Sequence, residues 1–306
     1  MSQRKAQLDP LAVISIIACC FIWGLNQVAA KATLPEIPPL WQACVRSLGG
    51  ALLVWAWSRL RRIPLFEPDG TAPGGALAGL LFAAEFACIF IGLQFTTASR
   101  MVVFLYLAPF VVALGMPFIA RSERLSWPQL TGLAIAFAAV AGAFAEGFTQ
   151  PAAGARQWIG DALGVVAAVL WGATTLVVRA TRLTSASAEK TLLYQLAISG
   201  VMLGAAAWAT NAPVPTSLST LAWSSLAFQI LVVTFFSFLV WFWLVRHYPA
   251  TRLSSFTLLT PMFGLVLGAL LLREPITARL GLALVGVSVG IWLVNRPKPG
   301  AATGRH

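Results

Sequence analysis

The chain has 306 residues, of which 58% are hydrophobic and only 10% are charged, and its mean hydropathy is +0.81. Soluble domains carry about 25% charged residues, so this composition excludes an ordinary soluble protein and indicates an integral membrane protein. The net charge of +11 would suggest nucleic-acid binding in a soluble protein. Here the basic residues lie between apolar runs, where they set membrane topology and contact lipid headgroups.

Ten apolar runs follow a short polar start, and each is close to the ~20 residues that a helix needs to cross a bilayer. Strands of an outer-membrane barrel would be about half as long and would alternate in polarity. The sequence therefore predicts an all-α integral membrane protein with ten transmembrane helices. The predicted spans are Leu11–Thr33, Leu40–Ser58, Gly75–Phe95, Arg100–Ala120, Trp127–Glu146, Ile159–Ala180, Lys190–Ala209, Leu221–Val245, Ala250–Leu272 and Ile276–Val294.

The distribution of basic residues predicts the orientation. If the N-terminus is cytoplasmic, fifteen of the 21 lysines and arginines fall in cytoplasmic segments and five fall in external ones. Such an excess is typical of cytoplasmic loops. We therefore expect a multi-pass protein of the bacterial inner membrane with both termini in the cytoplasm.

The two halves of the chain repeat each other. Phe21–Thr33 reads FIWGLNQVAAKAT and Val169–Thr181 reads VLWGATTLVVRAT, at an offset of 148 positions. Pro109 and Pro261 match at an offset of 152. Since each half has an odd number of predicted spans, the second half enters the membrane from the opposite side. The pattern predicts two inverted five-helix repeats, residues 1–150 and 151–306, around a central cavity, which is a transporter architecture.

Three motifs occur in both halves. They are Trp-Gly in the first and sixth spans, Ala-Ser/Thr-Arg followed by a proline in the fourth and ninth, and Arg-x-Glu or Arg-Glu before the fifth and tenth. Together they resemble the EamA-type members of the drug/metabolite transporter superfamily. The segments Ala84–Cys88 and Leu105–Pro109 resemble its aromatic amino-acid exporter branch. The resemblance implies ten helices around a cavity, export of small metabolites or drugs, and proton coupling.

Two charged residues that lie well inside predicted spans are candidates for the site. Glu85 is about ten residues from either end of the third span, too deep to reach an interface at ~1.5 Å per residue. Intramembrane carboxylates are most often functional, so we expect a proton site or an anchor for a substrate ammonium, with a neutral structural Glu as the alternative. Arg46 either snorkels outward, binds a substrate carboxylate or pairs with Glu85.

Pro109 and Pro261 fall at mid-span, at equivalent places in the two halves. Each proline removes a backbone donor and frees a carbonyl four residues earlier, which must find another partner in the membrane. We interpret the pair as hinges that flank the binding site; the alternative is a plain kink in each helix.

Further polar and aromatic side chains are predicted to line the cavity. The alternative for the amides is hydrogen bonding between helices, and Ser254, Thr257, Tyr106 and Tyr194 are the weaker candidates. The set is Trp23, Asn26, Gln27, Trp171, Thr174, Tyr106, Tyr194, Ser254 and Thr257.

Motifs of catalysis are missing from the sequence. It has two histidines, four cysteines inside apolar runs, no P-loop and no H-E-x-x-H motif, so we expect no cofactor, no metal and no enzyme activity. The predicted function is export of small metabolites. Amino acids are the expected substrates, with aromatic ones favoured. The alternatives are a lipophilic-cation exporter and, remotely, a non-transporting membrane enzyme or scaffold. The expected partners are a small-molecule substrate and the bilayer, with no nucleic acid, in a monomer or weak homodimer.

Overall fold

The computed structural model describes residues 9–119, 127–149, 151, 153–248, 253, 256–257 and 259–294. Regular structure in these ranges is helical throughout. A 3₁₀ turn at Arg182–Ser185 precedes α8, and a π-helical segment at Phe228–Ser237 joins α9 to α10. The helices are α1 (Pro10–Thr33), α2 (Pro39–Leu60), α3 (Ala72–Gly92), α4 (Ala98–Leu105), α5 (Ala108–Ile119), α6 (Trp127–Thr149), α7 (Gln157–Ala180), α8 (Ala188–Ala209), α9 (Thr220–Ala227), α10 (Phe238–His247), α11 (Leu259–Leu272) and α12 (Ala278–Val294).

Within the described residues, seven helical stretches are long and apolar enough to cross a membrane, with Ala98–Ile119 and Thr220–Trp241 each counted as one. Three of the described helices stand outside these seven stretches: α2, which has 22 residues, and the shorter apolar helices α11 and α12. The predicted class is confirmed: the chain is an all-helical, multi-pass membrane protein. Each predicted span overlaps a helix, but the fourth is interrupted at Tyr106–Leu107.

Polar residues at the starts of helices fix where several of them begin. Asp9 caps α1, where Ala12 N donates to its Oδ1 at 2.9 Å and Pro10 opens the first turn. Thr97 caps α4 and Ser187 caps α8 through the same type of bond. These caps satisfy backbone donors that the helix itself leaves free, so the breaks between apolar runs have a local chemical cause.

Helix packing between the two halves of the chain joins equivalent pairs of helices. α2 packs along α8 and α6 packs along α12, while α4 packs against α11. The contact of α1 with α11 corresponds in chain order to that of α7 with α5. The contact of α3 with α7 corresponds to that of the π-helical segment with α1.

One end of the bundle, named here the Arg100 end, collects the start of α2, the end of α3 and the starts of α4 and α9. Lys31 Nζ donates to Thr96 O at 2.5 Å across this end. Ser219 N and Oγ donate to the two carboxylate oxygens of Glu36 at 2.8 and 2.7 Å. The bond from Ser219 N, followed by that from its hydroxyl, lowers the pKa of Glu36.

The opposite end, named here the Asp69 end, collects the starts of α1, α3 and α8. Lys190 Nζ donates to Asp69 Oδ2 at 2.9 Å, and Tyr248 Oη donates to Asp9 Oδ2 at 2.8 Å. Thr71 Oγ donates to Asp69 Oδ1 at 2.6 Å. The bond from the Thr71 hydroxyl and then the contact with Lys190 hold the pKa of Asp69 well below its ordinary value.

Pairs of glycines four residues apart allow the helices to approach closely. Gly160 lies directly against the backbone of Gly92, where an added Cβ would be 2.6 Å from Gly92 O. All five pairs contact another helix of the same chain, so the intramolecular packing accounts for them without a second subunit. The pairs are Gly75/Gly79, Gly160/Gly164, Gly200/Gly204, Gly264/Gly268 and Gly286/Gly290.

Candidate functional site

Arg46 is the largest fully buried side chain of the described residues, with 1% of its surface exposed. Its guanidinium carbon lies 4.1 Å from the centre of the Phe86 ring. Nε and Nη1 have no hydrogen-bond partner in the protein. The side chain therefore does not snorkel to the membrane surface. It lies over an aromatic ring with two donors free, an arrangement suited to an anionic group.

Glu85 lies in α3 immediately before Phe86 and is 5% exposed. Its Oε2 has no hydrogen-bond partner. The carboxylate and the guanidinium of Arg46 act on each other electrostatically, but they form no direct ion pair. Because charges at this depth are costly unless they are paired or meet a polar ligand, the two groups together form a site able to hold a molecule that carries both charges.

Two amides of α1 are buried in the same way and also have a free polar atom. Asn26 and Gln27 are 6% and 8% exposed, and Oδ1 of the first and Oε1 of the second have no partner. Trp23 lies one turn earlier in α1, and its Nε1 donates to Ser237 Oγ at 2.9 Å. Its ring packs edge-on against Trp241, with 5.6 Å between the centroids. Trp23 therefore fastens α1 to the π-helical segment at the Asp69 side of the amides.

The π-helical segment contributes a residue that the sequence analysis did not select. Gln229 is completely buried, and its Oε1 has no partner. The signal in the sequence that could have identified it is a stripe of polar residues in the eighth predicted span. The stripe consists of Ser225, Gln229, Thr234 and Ser237. We refer to five buried residues of α1, α2, α3 and the π-helical segment, each with a polar atom that has no partner, as the polar ring: Asn26, Gln27, Arg46, Glu85 and Gln229.

The second-half counterparts of the α1 residues lie in a different environment. Trp171 is 39% exposed and packs edge-on against Tyr106 at 6.3 Å between centroids. The hydroxyl of Thr174 donates to Leu170 O of its own helix at 2.9 Å. The structure thus brings Tyr106 and Trp171 together, so the two tryptophans of the Trp-Gly motifs have different partners. The two glycines have equivalent ones: Gly24 packs against Thr260 and Phe263, and Gly172 packs against Ala108 and Val111.

Tyr194 lies at the Asp69 end, apart from the polar ring. Its ring packs against Gly75, and its hydroxyl is 3.4 Å from Thr71 Oγ. It lines a mainly apolar pocket of about 590 Å³ between α2, α8 and the loop that contains Asp69. Lys190 also lines this pocket.

The remaining predicted residues occupy the broken fourth and ninth spans. Pro109 is the second residue of α5, directly after the interruption at Tyr106–Leu107, and Pro261 is the third residue of α11. Thr257 is half-buried in the segment before α11. Ser254 lies outside the described residues.

Buried charges at the Arg100 end form a second constellation, which the sequence analysis did not select as a candidate site. Arg100 Nε donates to both oxygens of Asp161 at 3.1 and 3.2 Å, and Nη2 donates to Oδ2 at 2.6 Å. Nη1 donates to Glu146 Oε2 at 3.0 Å, and Nη2 also donates to Ala143 O. We name Arg100, Glu146 and Asp161 the Arg100 cluster. All three are at most 3% exposed.

Glu274 holds the same end from the loop between α11 and α12. It accepts hydrogen bonds from Ala98 N at 2.7 Å, from Ser99 N at 2.9 Å and from Ser99 Oγ at 2.6 Å. Its carboxylate therefore caps the positive N-terminus of α4. Thr277 Oγ donates to Glu146 Oε2 at 2.8 Å. The side chains of Arg100, Glu146, Asp161 and Glu274 are thus bonded to one another or to nearby protein groups. This constellation has the chemistry of a structural clasp, whereas the polar ring has free groups.

A multi-pass helical bundle that buries ionisable side chains with free polar atoms at membrane depth is suited to holding solutes in transit. Fold and site thus define a membrane transporter. The chain belongs to the EamA-like transporter family, whose model matches residues 10–145 and 158–296. The family predicted from the sequence motifs is confirmed.

Curated relatives carry related names. The chain is 30% identical over 282 residues to the uncharacterized transporter YvbV of Bacillus subtilis, covering 90% of this chain and 88% of that protein. It is 25% identical over 315 residues to a probable amino-acid metabolite efflux pump of Escherichia coli, covering 96% of this chain and 95% of that protein. A solved crystal structure shares the fold, with a TM-score of 0.65 and 14% identity over 92% of this chain and 96% of that one.

Proposed function

We propose that the protein exports amino acids across the bacterial inner membrane, with aromatic amino acids favoured. The observation that carries the proposal is the buried Arg46 and Glu85, which have opposite charges, free polar atoms and no ion pair between them. An α-amino acid carries a carboxylate and an ammonium on one carbon. Its carboxylate matches the free donors of Arg46, and its ammonium matches Glu85 Oε2.

The name of the Escherichia coli relative, a probable amino-acid metabolite efflux pump, supports the substrate class. The aromatic stack on α3 supports the preference for aromatic side chains. It consists of Phe82 and Phe86, whose ring centroids are 4.5 Å apart. Aromatic rings gain from edge-on or offset contacts with such a surface.

Alternating access is the proposed mechanism, with residues 1–150 and 151–306 as two inverted five-helix repeats. The two separate matches to the family model and the matching helix pairs of the two halves support this arrangement. Pro109 and Pro261 are the proposed hinges. The Asp69 end faces the cytoplasm in this proposal, together with both termini, and the working unit is a monomer or weak homodimer with proton coupling.

Counterflow in proteoliposomes tests the proposed function without assuming a coupling ion or a direction. Proteoliposomes that contain the purified protein are loaded with unlabelled tryptophan, threonine or a lipophilic cation, and uptake of labelled tryptophan is measured. We expect tryptophan to drive uptake most strongly and threonine to drive it weakly. Absence of counterflow with every amino acid would overturn the substrate assignment.

A lipophilic-cation exporter of the same fold is the second candidate. Glu85 beside an aromatic surface suits an organic cation, since cations are attracted to ring faces. The buried Arg46 opposes it, because a second positive charge next to the site repels a cation without a carboxylate. Inhibition of tryptophan counterflow by the cation at equal or lower concentration would favour this candidate.

A further inference from the structure

The orientation of the Gln229 side chain is fixed by a chain of hydrogen bonds. Ser225 Oγ donates its hydrogen to Ala29 O at 3.0 Å, so this hydroxyl is left with acceptor capacity only. Gln229 Nε2 donates to it at 3.1 Å. Exchanging the amide oxygen and nitrogen would put two acceptors together, so Oε1 of Gln229 must point the other way, where it meets no protein donor.

Helix packing places Gln229 at the level of Arg46. Gly50 of α2 packs directly against Thr234 of the π-helical segment, and both elements run from the Arg100 end to the Asp69 end. One turn earlier in α2 is Arg46. One turn earlier in a π-helix, where hydrogen bonds join residues five apart, is Gln229. The two side chains therefore lie at corresponding positions of neighbouring elements.

The π-helical segment is held in this form by its own side chain. Thr234 Oγ donates to Gln229 O at 2.7 Å, which satisfies a carbonyl at membrane depth. π-helical turns are frequent at functional sites. The segment thereby holds a completely buried amide oxygen in the helix that packs against α2, where Gly49, three residues after Arg46, lies against Ile230, the residue after Gln229.

We propose that Gln229 Oε1 and Glu85 Oε2 together accept hydrogen bonds from the primary ammonium of the substrate. Three N–H donors distinguish a primary ammonium from a quaternary one, which has none. Gln229 therefore makes the site selective for amino acids over their N-methylated forms and over lipophilic cations. This inference rests on the proposed function and assigns one specificity residue to it.

Counterflow with two matched compounds tests the inference. Tryptophan and N,N,N-trimethyltryptophan share the ring, the carboxylate and the positive charge, but only tryptophan has N–H donors. In wild-type protein we expect tryptophan to compete much better than its trimethylated form. Gln229→Met keeps the length of the side chain and removes the acceptor. We expect it to weaken competition by tryptophan about tenfold and to leave competition by the trimethylated form unchanged.

Two further variants separate contact from folding. Gln229→Glu keeps an acceptor oxygen and should retain the wild-type preference for tryptophan. Thr234→Val removes the hydrogen bond from the Thr234 hydroxyl to the backbone carbonyl of Gln229 but leaves the side-chain amide of Gln229 in place. We expect the preference for tryptophan to persist even if total activity falls.

The outcomes distinguish the inference from the function on which it rests. An equal loss for both compounds in Gln229→Met, or no loss for either, would overturn the role of Gln229 while leaving amino-acid transport intact. Absence of any tryptophan counterflow by wild-type protein would overturn the proposed function and the inference with it.

Discussion

The guanidinium of Arg46 lies 4.1 Å above the ring of Phe86, the residue that follows Glu85 in α3. Nε and Nη1 of the same guanidinium have no hydrogen-bond partner in the protein. Because Arg46 is 1% exposed, its position is set by packing against the protein and not by water. Phe86 thereby orients Arg46 for a ligand that approaches in the plane of the guanidinium.

Replacement of Phe86 by leucine should weaken substrate binding by roughly threefold to tenfold, because an attractive contact of about 1 kcal/mol with Arg46 is lost. Phe90→Leu is the matched control. It removes a buried ring one turn further along α3 and should leave the concentration for half-maximal counterflow unchanged. Equal effects of the two substitutions on that concentration would contradict an orienting role for Phe86.

Arg100→Leu should destabilise the protein strongly. It leaves the carboxylates of Asp161 and Glu146 buried without their partner, and breaking a buried ion pair costs about 3–5 kcal/mol. Arg156→Leu removes an exposed arginine that contacts the Phe95 ring near the same end. We expect it to cost under about 1 kcal/mol. Denaturation of both variants in detergent checks this, and similar midpoints would contradict the clasp described here.

Gly160→Ala tests the close contact of α3 with α7. The added methyl group meets Gly92 O and Thr96, so the two helices must separate, at a cost of about 1–3 kcal/mol. Gly142→Ala places the same methyl group where the structure has nothing within 4 Å. It should be neutral or slightly stabilising, because alanine is the better helix former. A thermal midpoint lowered equally in both variants would count against the contact.

Asp69→Asn should change how stability depends on pH. The pKa of Asp69 is lowered by the Thr71 hydroxyl bond and by Lys190, so the folded state binds a proton less readily than the unfolded chain. Its contribution is complete above the ordinary carboxyl value of about 4 and declines as the pH falls toward the lower folded value. The variant should melt below wild type at pH 7, and the difference should shrink steadily as the pH falls below about 4.

Melting curves over this range check the direction of the linkage. Glu189→Gln is a suitable control, since Glu189 lies in the first turn of the same α8 that carries Lys190. A constant difference between wild type and Asp69→Asn at all pH values would contradict the assignment.

The membrane class and the burial of Glu85 could be predicted because each depends on local sequence. Hydropathy and length indicate helices, and a carboxyl ten residues from either end of a span cannot reach water. The clasp of Arg100 could not be predicted, since its partners are 46 and 61 residues away in sequence. The sequence predicted Tyr194 at the cavity, but it lies at the Asp69 end because Gly75 admits its ring there.

Gln229 escaped prediction for a different reason. A π-helical segment has no strong local signal, and its register decides which face of an apolar run meets the other helices. In a regular α-helix the same stripe of Ser225, Gln229 and Thr234 would have been placed differently relative to Arg46. The helical register thus had to come from the structure.

The central claim is that Arg46 and Glu85 together bind an amino acid. The most direct measurement is tryptophan counterflow by Arg46→Gln and Glu85→Gln, with the peripheral variants Arg59→Gln and Glu189→Gln reconstituted at equal density. We predict that each of the first two loses more than about tenfold in apparent affinity, since each removes a charge-assisted hydrogen bond, and that the peripheral variants match wild type. Wild-type affinity in either Arg46→Gln or Glu85→Gln would contradict the account.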